Sequence, residues 1–223
     1  MKDYKKEGKI KGSLKIEGNL ILTGDLEVEQ EIEVAGYIDC KGYSIESEGS
    51  IKAGYSIKAG YSIEAGESIE AGGSIEAGYS IEAGYWIKAE GSIKARGSIE
   101  AGDWIKAGHS IEAGDWIKAG GSIIARDWIK AGYSIEAGES ILSQLWITCG
   151  TTLSAGIYIY AGIKTWGERT EKDMLIECGK LESGKVEFGN LVETGIEKPE
   201  EMIELDGKKY SKSTLKEALK AYV

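Results

Sequence analysis

Five tryptophans, Trp86, Trp104, Trp116, Trp128 and Trp146, share one setting: each immediately precedes an isoleucine, and the first four are followed two residues on by Lys88, Lys106, Lys118 and Lys130. Residues two apart on a strand share a face, so each of these four indoles has an ammonium beside it. Within the chain, such a pair can form a cation–π contact of about 0.5–1 kcal/mol, and stacked rings can support neighbouring strands. Toward another molecule it is an aromatic, charged surface of the kind in which binding hot spots concentrate. Both uses are non-covalent, and both stay open at the level of sequence. The five tryptophans and four lysines are the candidate partner-binding set.

Residues for covalent chemistry are sparse. The only histidine, His109, sits between repeats, with no nucleophile or orienting carboxylate implied by its neighbours. Cys40, Cys149 and Cys178 form no Cys-x-x-Cys or Cys/His spacing, so no metal site is indicated. Cys40 and Cys149 occupy a repeat position otherwise held by Ala or Val and read as core thiols in a reducing compartment. There is no P-loop, dinucleotide fingerprint or calcium repeat. The chain reads as a non-enzyme without catalytic residues or cofactor.

What positions the tryptophans is a repeat. From Ser44 to about Gly162 the chain repeats Ser-Ile-Lys/Glu-Ala-Gly-x, with isoleucine at 45, 51, 57, 63, 69 and onward in steps of six to Ile147. Ile-Lys/Glu-Ala alternates apolar, charged and small, the period of a short half-buried strand, and the glycine opens a corner. This is the pattern of a solenoid. The isoleucine slot barely varies and the slot two later is nearly always Ala, so both point inward. The slot before each isoleucine alternates between Ser and Trp, a change of volume that no packed interior absorbs, so it points outward.

Coil size follows from which outward residues would stack. With three hexads per coil, Trp86 stacks with Trp104, Trp128 with Trp146, and Tyr43, Tyr61 and Tyr79 with one another. Lys58, Glu76, Lys94, Glu112 and Lys130 then alternate in charge. With two hexads per coil, Asp103, Asp115 and Asp127 would form a like-charged column, which is unfavourable. The fold class is therefore all-β, a single-chain parallel β-helix with a triangular coil of about 18 residues. Counting hexads predicts about eight coils and a rod of roughly 40 Å.

The same repeat divides the chain. Residues 1–13 read as a basic N-terminal tail, with five Lys against two acids, and 14–163 as the solenoid. Leu14, Leu20, Leu26, Ile32 and Ile38 begin it with larger second core residues, and a one-residue insertion at Lys41-Gly42-Tyr43-Ser44 marks the change to the narrower shaft. Residues 164–195 read as short strands, either final tighter coils or a meander capping the shaft. Residues 196–223, after Pro199, read as a hairpin on Asp206-Gly207 and a short helix capped by Thr214 and Glu217.

A formal charge of −10 over 223 residues argues against direct nucleic-acid binding and favours a protein partner with basic character. The start has no apolar leader and no run is long enough to span a membrane, so the chain reads as soluble and cytoplasmic, without membrane partners. Self-association would run through the N-terminal coil or the C-terminal module as a homo-dimer.

The segment Ile10-Lys-Gly-Ser-Leu-Lys-Ile-Glu-Gly-Asn-Leu-Ile-Leu-Thr-Gly-Asp-Leu-Glu-Val resembles the bactofilins, cytoskeletal β-helices with three six-residue faces per coil. That resemblance implies a scaffold or filament subunit joined through bare coil ends. The Ala-Gly regularity, the Trp-Lys set and the residues after Lys164 depart from the family. The tail Leu205-Asp-Gly-Lys-Lys-Tyr-Ser-Lys-Ser-Thr-Leu-Lys-Glu-Ala-Leu looks like tails of phage and mobile-element proteins. In its acidic-rod logic the chain is also similar to the pentapeptide-repeat inhibitors of gyrase. These likenesses imply a phage-type inhibitor that blocks a nucleic-acid-handling defence effector. Hexapeptide acyltransferases, which are β-helical enzymes, place the small residue four after the aliphatic one; here it comes two after.

Overall fold

The structure, a computed structural model, describes residues 1–164 and 166–195, and beyond them the backbone of the strands Met202–Leu205 and Lys208–Ser211. Each hexad of the shaft forms one three-residue strand, from Ile45–Ser47 and Ile51–Ala53 to Ile147–Cys149. Isoleucine prefers extended backbone because of its β-branch, and the alternation along the strand puts its side chain and the alanine methyl on one side, the charge on the other.

The strands pair in parallel with their equivalents three hexads along: Ile75 with Ile93, Ile81 with Ile99, Ile87 with Ile105. Three hexads close one coil, as the stacking argument predicts, and the molecule is an all-parallel β-solenoid. Its three faces are named by their isoleucines: face A carries Ile75, Ile93 and Ile111, face B Ile81, Ile99 and Ile117, and face C Ile87, Ile105 and Ile123. They meet at three edges, AB, BC and CA.

The core is a closed column. Shaft isoleucines are 0–1% exposed and the alanines beside them at most 7%. In the first coils Leu22, Val28, Val34 and Cys40 stand where alanine stands later, all nearly fully buried, so the cross-section narrows along the rod. At the corners coils lie close. A Cβ added at Gly102 would run into the carbonyl oxygen of Gly84 one coil below, so backbone contact, rather than a left-handed φ, demands glycine there.

The insertion at 41–44 is absorbed without breaking a ladder. Pairs that span it, such as Leu26–Ile45 and Ile32–Ile51, are one residue further apart than three hexads, and the register returns to three hexads at Ile45–Ile63. Lys41 takes up the extra residue at φ 51°, with its N–H donating to Asp39 Oδ1 at 2.8 Å.

Both ends extend the rod beyond the eight coils counted from hexads. Residues 3–10, assigned above to a basic tail, form the strand Asp3–Ile10, paired parallel with Asn19–Val28, and Tyr4 and Ile10 pack on the core. Leu175–Cys178, Lys180–Phe188 and Asn190–Glu193 are further coils: Ile147 pairs with Ile176 and Ile176 with Leu191. The last step, from Ile176 to Leu191, is shorter than three hexads, so of the two readings of 164–195 the tighter coils are the ones seen. The ladder from Tyr4 to Leu191 thus has eleven rungs, about 50 Å of rod at about 4.8 Å per step.

Between the strands Thr152–Tyr160 and Leu175–Cys178 the chain leaves the coil in a loop ended by a 3-10 turn, Glu171–Met174, with a capping box between Thr170 and Asp173. Lys164 donates to Asp173 at 2.7 Å from side chains only 11% and 16% exposed, and this bond holds the Asp173 carboxyl at about 2. Met202–Leu205 and Lys208–Ser211 pair antiparallel with Leu205 opposite Lys208, the hairpin expected there. Its Asp206-Gly207 turn and the helix expected after Thr214 lie outside the described residues. No helix among the described residues is long and apolar enough to cross a membrane.

The burial pattern predicts that Ile99→Ala costs about 2–5 kcal/mol in denaturant melts, since a fully buried ladder member leaves a cavity between two coils. Ser80→Trp, at an outward edge slot, should change stability by about 1 kcal/mol or less. The reverse ranking would invert the inward and outward faces.

Candidate interaction surface

The outward middle residue of each strand stacks along the rod on its equivalent, and the three columns differ in charge. On face A, Lys58, Glu76, Lys94, Glu112 and Lys130 alternate: Lys58–Glu76 lie at 3.7 Å, Lys94–Glu112 at 3.0 Å and Lys130–Glu112 at 3.8 Å. On face C, Lys15–Glu33 close at 2.9 Å, and Glu70 sits between Lys52 at 3.5 Å and Lys88 at 3.0 Å. Above Lys88 this column continues Lys106, Ile124, Leu142, Tyr160.

Face B is different. Glu27, Glu46, Glu64, Glu82 and Glu100 follow one another in register before Lys118 interrupts them. Lys9 pairs with Glu27 at 2.7 Å, and the Trp116 indole N–H donates to Glu100. Glu46, Glu64 and Glu82 have no ion-pair partner among the described residues. Burial, then the charges of Glu46 and Glu82, pushes the Glu64 carboxyl above its ordinary value. The three line an open cleft of about 450 Å³ with Glu48 beside them. Sequence reasoning missed this column, although the three-hexad period, applied to Glu46, Glu64, Glu82 and Glu100 as it was to the lysines of face A, would have revealed it.

The tryptophans occupy all three edges. Trp86 and Trp104 stack at edge BC with centroids 5.0 Å apart and planes 5° from parallel, and Trp128 and Trp146 stack at edge CA at 4.8 Å and 5°. Both pairs were expected; of the tyrosine column, Tyr61 on Tyr79 is the stacked pair, at 5.9 Å. Trp116 stands alone at edge AB, 42% exposed. No single flat partner can therefore touch every residue of the sequence-derived set.

The lysines do not sit on the indoles. The ring–cation contacts among the described residues are Lys2–Tyr4, Arg126–Trp166, Arg169–Phe188 and Lys185–Tyr158. Lys88 and Lys130 turn along the rod to Glu70 and Glu112 of the preceding coil, and Lys118 to Glu136 of the next at 3.6 Å. At these three the expected intrachain cation–π pairing gives way to ion pairs. Lys106 has no acidic partner within ion-pair reach among the described residues.

The slot before the isoleucines is outward but can be covered. Ser68 and Ser98, one coil before Trp86 and Trp116 in the same slot, are only 6% and 7% exposed. His109 Nδ1 lies 3.1 Å from Asp127 Oδ2, a carboxylate one coil on that its sequence neighbours did not suggest. Cys40, Cys149 and Cys178 are free and buried, and burial pushes Cys149 up to about 12. No group of three or more metal-ligating side chains occurs among the described residues.

Comparison with family models, with curated proteins and with solved structures finds no match to the chain.

Because the Glu64 carboxyl titrates above its ordinary value, folding favours its protonated form. The associated stability is fully present below about pH 4.3 and is lost as pH rises through the raised value. Glu64→Gln should therefore melt at a higher temperature than the parent at pH 7, with the difference shrinking as pH falls toward 4. An equal difference at both pH values would remove the repulsion from the account.

Proposed function

We propose that the chain is a non-catalytic binding rod whose acidic face B occupies a basic, nucleic-acid-handling surface of a protein partner. The observation that supports this most is the unbroken glutamate column, Glu46 to Glu100, on a molecule whose other two faces set lysines among their glutamates. Like charges one rung apart cost stability, and a basic groove on a partner would offset that cost. Flat, rigid and anionic, the face is suited to a surface built for phosphates and unsuited to nucleic acid itself. The finer reading, a phage-type inhibitor of a bacterial defence effector, rests on the resemblance of the tail to phage and mobile-element proteins and on the acidic-rod resemblance.

The experiment is capture from cell lysate on immobilised protein, followed by elution with short duplex DNA. The proposal expects nucleic-acid-binding proteins that DNA displaces, and their loss with the Glu64→Lys/Glu82→Lys variant. Equal recovery by both, or partners that DNA does not displace, would reject it.

A second reading, a bactofilin-like scaffold or filament subunit, draws support from the strand Asp3–Ile10, which among the described residues pairs on one side only, with Asn19–Val28. Lys5, Lys6 and Lys9 lie along it, the charge by which natural sheet edges resist pairing. Light scattering over a concentration series decides this: a single discrete species rejects the filament, and a length distribution rejects the discrete inhibitor.

A further inference from the structure

Along edge BC the Trp86–Trp104 stack stops abruptly. Trp104 spends one face on Trp86, with which it stacks at 5.0 Å. Its other face looks to the next rung, where Gly121 and Ser122 stand in place of another large side chain. The Ser122 hydroxyl is drawn aside, donating to Glu139 at 2.9 Å. The result is an open cleft of about 730 Å³ with Trp104 as one wall and Ile124 as another. At Trp116, the lone indole, the corner residue one coil on is the bulky Tyr133 in place of a glycine.

The charges around the cleft restrict what can enter. Two carboxylates, Asp103 and Glu139, and two ammoniums, Lys88 and Lys106, line it. Lys88 is already held by Glu70 at 3.0 Å and Glu90 at 3.5 Å, whereas Lys106 is an available donor. An anion entering the cleft meets two carboxylates and a cation meets two ammoniums. A neutral ring with one apolar face and several hydroxyls meets neither penalty: its C–H face covers the indole, its hydroxyls donate to Asp103 and Glu139, and one accepts from Lys106. The openness of the cleft suits one ring of a longer chain better than an enclosed small molecule.

We propose that this cleft is a binding site for a neutral saccharide, with Trp104 as the platform for one pyranose ring. The proposal does not rest on the protein-partner reading, which places that partner on face B.

Isothermal titration calorimetry with maltohexaose, cellohexaose and N-acetylchitohexaose, alongside hexagalacturonate and hexa-arginine as charged probes, tests it. At least one neutral hexasaccharide should bind at about 1 mM or tighter. Binding should be lost in Trp104→Ala and in Ser122→Trp, which fills the cleft with a third stacked ring, and kept in Trp128→Ala, with circular dichroism confirming the fold of each. Failure of all three neutral sugars, binding that survives Ser122→Trp, or preference for either charged probe would overturn the proposal. Retained partner capture on face B beside any of these results would show that only the saccharide site has failed.

Discussion

Everything on the surface is positioned by the in-register stacking of isoleucine on isoleucine at a step of one coil. The shaft interior holds one isoleucine and one alanine per face per coil, all nearly fully buried, and backbone lies on backbone at the glycine corners. Neither the period nor the register can drift without every side chain changing face. The outward residues therefore lie in straight columns, one rung apart, and a property repeated at every third hexad becomes a property of a whole face.

That amplification explains why the three faces differ so strongly despite nearly identical hexads. Alternating Lys and Glu on face A produces a neutral ladder of ion pairs. Repeating Glu on face B yields a line of carboxylates in which burial, and then the charges of Glu46 and Glu82, raise the proton affinity of Glu64. On face C the column changes at Lys106 from paired charge to Ile124, Leu142 and Tyr160, and the cleft beside Trp104 sits at that change. Surface ion pairs of this kind contribute little to stability individually, so the columns are free to vary without endangering the core.

Much of this was legible because the repeat samples each slot many times. The Ile and Ala slots declared themselves inward by their constancy, and Trp86 with Trp104 and Lys58 with Glu76 pointed to the three-hexad coil. Other features were not legible, for particular reasons. The strand Asp3–Ile10 carries Asp3, Lys5, Lys6, Glu7 and Lys9 among its few apolar side chains, and its pairing of Tyr4 with Leu20 is a step shorter than three hexads, so no hexad marks it. The burial of Ser98 is set by the coils on either side of it, and the lysines' choice of glutamate over indole depends on distances along the rod. Arg126 over Trp166, 5.3 Å apart, joins the shaft to the loop before Leu175, a contact no local pattern announces.

The central functional claim is that face B is the side of the rod that meets a partner. Zero-length carbodiimide coupling, which joins carboxylates to lysines in direct contact, reports this without altering the chain. Mass spectrometry of a captured partner cross-linked in this way should place the junctions on Glu46, Glu64 and Glu82. Junctions concentrated on Glu76 and Glu112 of face A or Glu33 and Glu70 of face C would contradict the account.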